Sequence, residues 1–289
     1  MKIKRYNIEQ LKNYSVVLSP EEQLMLLGGY KYEEGMYGVL VFDDNNNLLK
    51  IIRYEDAITN NYSELADYTL PSNITLCTLS SGMTCFVLQN TDILAQRSSF
   101  TNGFTDEMIM NLEQYNVNIY YFNENNPVSY DGKKRNDSHY NSGMNLIAMR
   151  TYEDDTSNYI SIESRVHEVI HSFQQNAFHQ SMVIENTMNL EYQAYVISAL
   201  YAKGKKSYDS MIDSWPWIND YIVHKGANRF YVKSAIFDEI NKHADEWLLS
   251  NQAAQYREKM EAKGIEPYFN KDFIYNWRAL FNSLGIEVH

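Results

Sequence analysis

Apolar side chains recur along this chain with two different periods, and the change falls near Tyr159. Before it, short apolar or alternating runs rich in Val, Ile, Tyr and Phe are separated by Asn, Asp, Ser and Gly, as in strands joined by tight turns. Tyr37 to Phe42 and Leu48 to Tyr54 flank a polar turn at Asp43 to Asn47, and Ile74 to Leu88 folds back on itself about Ser80 to Gly82. A helix over Thr105 to Gln114 leads into a strand over Val117 to Phe122. A long polar loop, Asn123 to Ser142, then precedes an extended segment, Met144 to Met149. That loop either covers a groove beside the segment that follows or is plain surface.

After Tyr159 the apolar positions take helical spacing. In Ile160 to Gln175 they are Ile162, Val166, Val169, Ile170 and Phe173, with no Gly or Pro, and polar Asp154 to Asn158 can supply a cap. Ile184 to Lys203 reads as a core-packed helix ended by Gly204. Ala227 to Ser250, Gln252 to Lys263 and Phe269 to Leu284 complete an almost entirely helical second half. The expected class is α+β: a β-rich part, mixed or antiparallel, over residues 30–155, then a helical part over 156–289, together one compact unit.

The first of these helices carries His167-Glu168-Val169-Ile170-His171. Histidines four apart project from one helix face on consecutive turns and offer two imidazoles to one metal ion. Glu168 sits beside them, placed to act on a zinc-bound water rather than to ligate. Catalytic zinc takes three protein ligands and keeps one position open. Glu191, 20 positions after His171, lies among Leu190, Ala194, Ile197 and Leu200 on the next helix. An unpaired carboxylate there is costly, and zinc would compensate it. Glu185 is the rival third ligand, at a helix start where a carboxylate also serves as a capping charge. The bland alternative is a pair of ordinary histidines on an amphipathic helix.

His167, Glu168, His171 and Glu191, so spaced on consecutive helices, resemble the gluzincin metallopeptidases, the thermolysin-like group. The resemblance covers roughly Asn145 to Leu200. It implies a zincin-like fold in which His167, His171 and Glu191 bind Zn2+. It also implies that Glu168 takes a proton from the zinc-bound water and passes it to the leaving amine of a peptide or protein substrate. The segment Met144 to Met149 would edge the cleft and pair with the substrate backbone. Two positions depart from the family. Tyr195 stands four residues after Glu191, where the family has an aspartate, and the family's downstream oxyanion-stabilising histidine has no counterpart. Tyr195, one turn beyond Glu191, is the first candidate donor to the oxyanion, ahead of His179 and His224. The rival reading is an exported binding protein or effector whose zincin-like domain recognises a partner without cutting it.

The N-terminus holds a second resemblance. No apolar run follows Met1 to Arg5 as a secretory signal would require. Leu18-Ser19-Pro20-Glu21-Glu22-Gln23-Leu24-Met25-Leu26-Leu27-Gly28-Gly29 instead resembles the double-glycine leader of exported bacterial peptides. In that family an ABC exporter's peptidase domain reads the apolar stripe and cuts after the second glycine, which implies export and a mature chain starting at Tyr30. The same residues also make an ordinary short helix, capped by Ser19 and ended by the glycines, in a cytoplasmic protein.

Cys77 and Cys85 fall opposite each other when the hairpin is reflected about Ser81. They form either a disulfide, as in an exported protein, or two buried thiols. At 289 residues and 44% apolar, the chain can bury a full core without staples. Its net charge of −12 makes nucleic acid an unsuitable partner, because phosphates need clustered Lys and Arg. No segment approaches the length of a membrane span.

Overall fold

The turn between Phe42 and Leu48 rests on side-chain-to-backbone hydrogen bonds. The computed structural model describes residues 31–43, 45–53, 74–78, 84–88, 91–123, 125, 127–130, 133–151, 160–180, 186–206, 215–225, 229–269 and 277–289. Strand β1 (Lys31–Glu34) pairs antiparallel with β2 (Gly38–Phe42), which pairs antiparallel with β3 (Leu48–Arg53). Between the last two, the Asp43 carboxylate accepts from the backbone N–H groups of Asn45 at 2.9 Å and Asn47 at 2.8 Å. Asn46 takes the left-handed φ of 63° that such a turn requires and Asn tolerates. Strands β4 (Ile74–Thr78) and β5 (Thr84–Leu88) form the cysteine hairpin, in a register that sets Cys77 opposite Cys85. The two cysteine side chains lie outside the described ones, as do residues 1–30 with the leader-like segment.

The first half is less purely β than its spacing suggests. Helix α1 (Thr91–Thr101) follows the cysteine hairpin, and among its described side chains Ile93 and Phe100 are the buried apolar ones, too few to form a stripe. Helix α2 (Asp106–Gln114) starts at Thr105, whose Oγ1 accepts from the Met108 N–H at 3.2 Å. Strand β6 (Asn118–Phe122) comes next. The expected loop Asn123 to Ser142 instead contains β7 (Val128–Tyr130), paired antiparallel with β8 (Lys133–Arg135), and then β9 (His139–Asn141). Strand β10 (Leu146–Arg150) runs between β6, its parallel neighbour, and β9, its antiparallel one.

This order corrects the expectation that Met144 to Met149 edges the cleft. Leu146, Ile147, Ala148 and Met149 are fully buried, as befits a continuously apolar strand covered on both faces. Half-buried β9, with its polar His-Tyr-Asn sequence, forms the sheet edge instead.

Helix α3 (Ile162–Asn176) is capped by Ser161, whose Oγ accepts from the Ser164 N–H at 3.0 Å; residues 152–159, where a cap was expected, are outside the described ones. Arg165 ties this helix to α1. Its guanidinium donates to the carbonyls of Ser99 at 3.1 Å and Asn102 at 2.9 Å, and to that of Phe100. A cation among the last carbonyls of a helix is favourably placed. Helix α4 (Thr187–Gly204) packs on α3 and is buried along most of its length. Tyr192 sits at the centre of an aromatic cluster with Trp215, Trp247, Phe269 and Trp277, at ring distances of 5.1–6.1 Å, and its hydroxyl donates to the Ile240 carbonyl at 2.7 Å.

The second half is not almost entirely helical. A short 3₁₀ helix, Pro216–Tyr221, leads into β11 (Ile222–His224) and β12 (Phe230–Val232). Helix α5 (Ile236–Leu248) therefore starts well after the expected Ala227, because Phe-Tyr-Val pairs with β11 and with the C-terminal β13 (Glu287–Val288). Helix α6 (Asn251–Glu261) is capped by Ser250. Helix α7 is described over Trp277–Ser283; of the expected Phe269 to Leu284, Phe269 is not helical and residues 270–276 lie outside the described ones. The main core gathers residues from Met36 to Ile286, and a smaller one fills the space under β2, β3, β7 and β10. The architecture is mixed α+β. No helix among the described residues is long and apolar enough to cross a membrane.

Candidate metal centre and cleft

His167 and His171 project from one face of α3 towards Glu191 on α4, as their spacing requires. The His167 Nε2 atom lies 3.1 Å from His171 Nε2 and 3.3 Å from Glu191 Oε2, and the third side of this triangle is 3.5 Å. Zinc bonds of about 2.0–2.1 Å at tetrahedral angles put ligand atoms about 3.3 Å apart. The triangle already has that size.

The buried amide of Gln174 determines which His171 nitrogen faces the triangle. Gln174 Nε2 donates to the Leu190 carbonyl and to Gln193 Oε1, each at 3.0 Å. Its Oε1 therefore accepts, and it does so from His171 Nδ1 at 2.8 Å. A neutral His171 with its proton on Nδ1 presents the Nε2 lone pair to Glu191 Oε2, a buried oxygen that accepts no hydrogen bond among the described residues. Lone pairs converging on one another repel unless a cation or protons lie between them.

The electrostatics point the same way. Burial alone would lower His171, yet the Glu191 carboxylate outweighs it and holds the imidazole up at about 9. Burial alone would raise Glu191, and the His171 charge reverses that, keeping it well below the usual carboxylate range. The residues present fit a divalent ion with nitrogen and oxygen ligands.

The triad opens on a cleft of about 540 Å³ that also exposes Glu168. Burial pushes the Glu168 carboxyl up, against the opposing pull of the two neighbouring histidines. All three β9 residues line the cleft, so a sheet edge with no strand partner among the described residues runs beside the candidate metal centre. His139, on that edge, donates from Nδ1 to the Asp137 carbonyl at 2.7 Å, while its Nε2 is buried without a hydrogen-bond partner among the described residues. Tyr256, from α6, lines the cleft too; burial, the Glu191 carboxylate and Tyr195 all push its hydroxyl up, so it keeps its proton.

Tyr195 stands differently from what was expected of an oxyanion donor. Its ring packs edge-on against His167 at 4.6 Å and tilted against Trp247 at 5.9 Å, and it does not line the cleft. His179 and His224 are exposed and away from the cleft, and Glu185 lies outside the described residues. Gln174, His139 and Tyr256 went unremarked in the sequence. Tyr256 shares the spacing of Ala253 and Met260 and so reads as core; His139 sits in a stretch with no period. Only the scarcity of histidine, seven in the chain, hints at His139. No protein-family model, curated protein or solved structure matches this chain.

Proposed function

We propose that this protein is a zinc-dependent peptidase of the zincin-like, gluzincin type. The observation that carries the reading is the convergence of three lone-pair atoms at zinc-ligand spacing beside a buried carboxylate in an open cleft. His167, His171 and Glu191 would hold the ion. When bound, zinc supplies a Lewis acid and a water acidified to near neutrality. Glu168, its carboxyl raised by burial, is suited to take the proton of the attacking water and hand it to the leaving amine. Tyr256, which keeps its proton, is the donor to the charge that develops on the carbonyl oxygen, and Tyr195 holds the His167 ring. The free edge of β9 offers backbone groups to an extended peptide.

Export through an ABC transporter completes the proposal. A cut between Gly29 and Tyr30 leaves β1 intact, since that strand begins at Lys31. The opposed register of Cys77 and Cys85 suits a bridge in an oxidising compartment. Mass spectrometry of the protein in culture medium should find Tyr30 at the N-terminus.

The decisive experiment measures metal and hydrolysis together. Protein purified with zinc present should hold one zinc per chain and cut a generic protein substrate in a chelator-sensitive way. Glu168→Gln should keep the zinc and lose activity at least 100-fold, on the order expected of a removed general base. His167→Ala should lose both. A chain without stoichiometric metal, or a fully active Gln variant, would sink the reading.

A further inference from the structure

The chain carries 37 acidic and 25 basic residues, yet its cleft is walled with cations. Lys133 and Arg135 stand two apart on β8, so both leave one face of the strand and line the cleft, while Lys134 between them does not. Lys259 lines it from α6. Of the carboxylates that line the same cleft among the described residues, Glu168 and Glu191 belong to the candidate metal centre, which leaves Asp137. Past Tyr130, Asn141 and Ser142, which line both spaces, the cleft continues into a second cavity of about 700 Å³. Among the described residues, that cavity is lined by Lys50 and Arg53 of β3 and by no Asp or Glu.

We infer that this groove selects an acidic polypeptide, with Asp or Glu side chains on either side of the bond that lies at the metal centre. The inference rests on the reading of the cleft as the place where a peptide binds. Five cations along one groove, in a chain of net charge −12, are a local reversal of sign. Charges lining a concave surface concentrate ligands of the opposite sign and exclude those of like sign. The remaining walls suit a peptide backbone better than a nucleic acid. Gln114, Asn116, Asn141 and Gln175 supply amide donors and acceptors, and β9 runs beside them as an unpaired edge.

The test is a binding measurement that does not depend on cleavage. Zinc-loaded Glu168→Gln protein is titrated against two labelled Ala-Leu peptides, one with flanking Glu residues and its twin with Gln, read by fluorescence anisotropy. The Glu peptide should bind about tenfold more tightly at low salt, the sum of a few partly exposed ion pairs. The preference should shrink as the Debye length falls to roughly 3 Å in 1 M salt. Changing Lys133 and Arg135 together to Gln should remove most of it, whereas the same change at Lys242 and Lys263, which do not line the groove, should leave it intact. Equal binding of the twins, no binding of either, or tighter binding of a single-stranded oligonucleotide of equal charge would overturn the inference. If the preference holds while the wild-type zinc form cuts neither peptide, the peptidase reading alone falls.

Discussion

Gln174 is the residue on which the precision of the candidate metal centre depends. Its oxygen fixes the His171 tautomer, and its nitrogen is committed to Leu190 and Gln193, so the amide cannot turn over without leaving buried groups unpaired. Gln174→Leu should therefore weaken zinc binding by about 10–100-fold in a chelator competition, with the helix otherwise in place. The two tyrosines divide differently. Tyr256→Phe should lower kcat by roughly a hundredfold at unchanged zinc content, whereas Tyr195→Phe, which keeps the ring against His167, should change it about twofold at most. Activity lost equally in both variants would return Tyr195 to the reacting atoms. His167, His171 and Glu191 were legible in the sequence because their geometry follows from helix spacing and from the burial of one carboxylate. Gln174, His139 and Tyr256 were not, because their roles come from packing between segments far apart in the chain.

The sheet edge is set against the metal helix by Asn145, at the turn before β10. With a left-handed φ of 50°, it donates from Nδ2 to the Tyr115 carbonyl at 2.7 Å. It accepts from the Tyr140 hydroxyl at 2.9 Å and from Asn176 Nδ2 at 2.8 Å. One side chain thus joins the end of α2, strand β9 and the end of α3. Asn145→Ala should destabilise the fold by about 2–3 kcal/mol in denaturant unfolding, and raise KM as β9 loosens. A loss of stability with KM unchanged would separate β9 from substrate binding. Helices α3 and α4 were readable from their period, but α1 has too few buried apolar positions to show one. Strand β12 was hidden because its partners, β11 and the C-terminal β13, cannot be found by local spacing, and Phe230 and Ile236 also fit a helical stripe. The polar loop concealed β7 to β9 for the same reason: short strands with charged or polar sequences are defined by what they pair with.

The main core links both halves of the chain, so events at the metal centre should register in the stability of the entire fold. Stripping the metal with a chelator leaves the His171–Glu191 pair to hold α3 and α4 together. His171 is raised from 6.5 to about 9, so that contribution is complete below pH 6.5 and is lost as pH rises through 9. Glu191 is depressed, so on the acid side the same contribution holds above its ordinary value of 4.5 and fades as pH falls towards the lowered one. Metal-free protein should accordingly be most stable between about pH 4.5 and 6.5, and lose on the order of 3 kcal/mol by about pH 9.5. Thermal melts across that range check it; zinc-loaded protein, whose ligands carry no exchangeable proton, should not show the alkaline decline.

An unpaired strand beside a concave wall is also a hazard, because a second copy of the protein could add to it as readily as a substrate does. Strand β9 has three residues, and exposed Lys133, Arg135 and Asp137 stand just before it. A short edge guarded by fixed charge resists end-on growth into larger assemblies. The side chains that favour an acidic ligand would thus also keep concentrated protein dispersed, and neutralising Lys133 and Arg135 should show as increased light scattering.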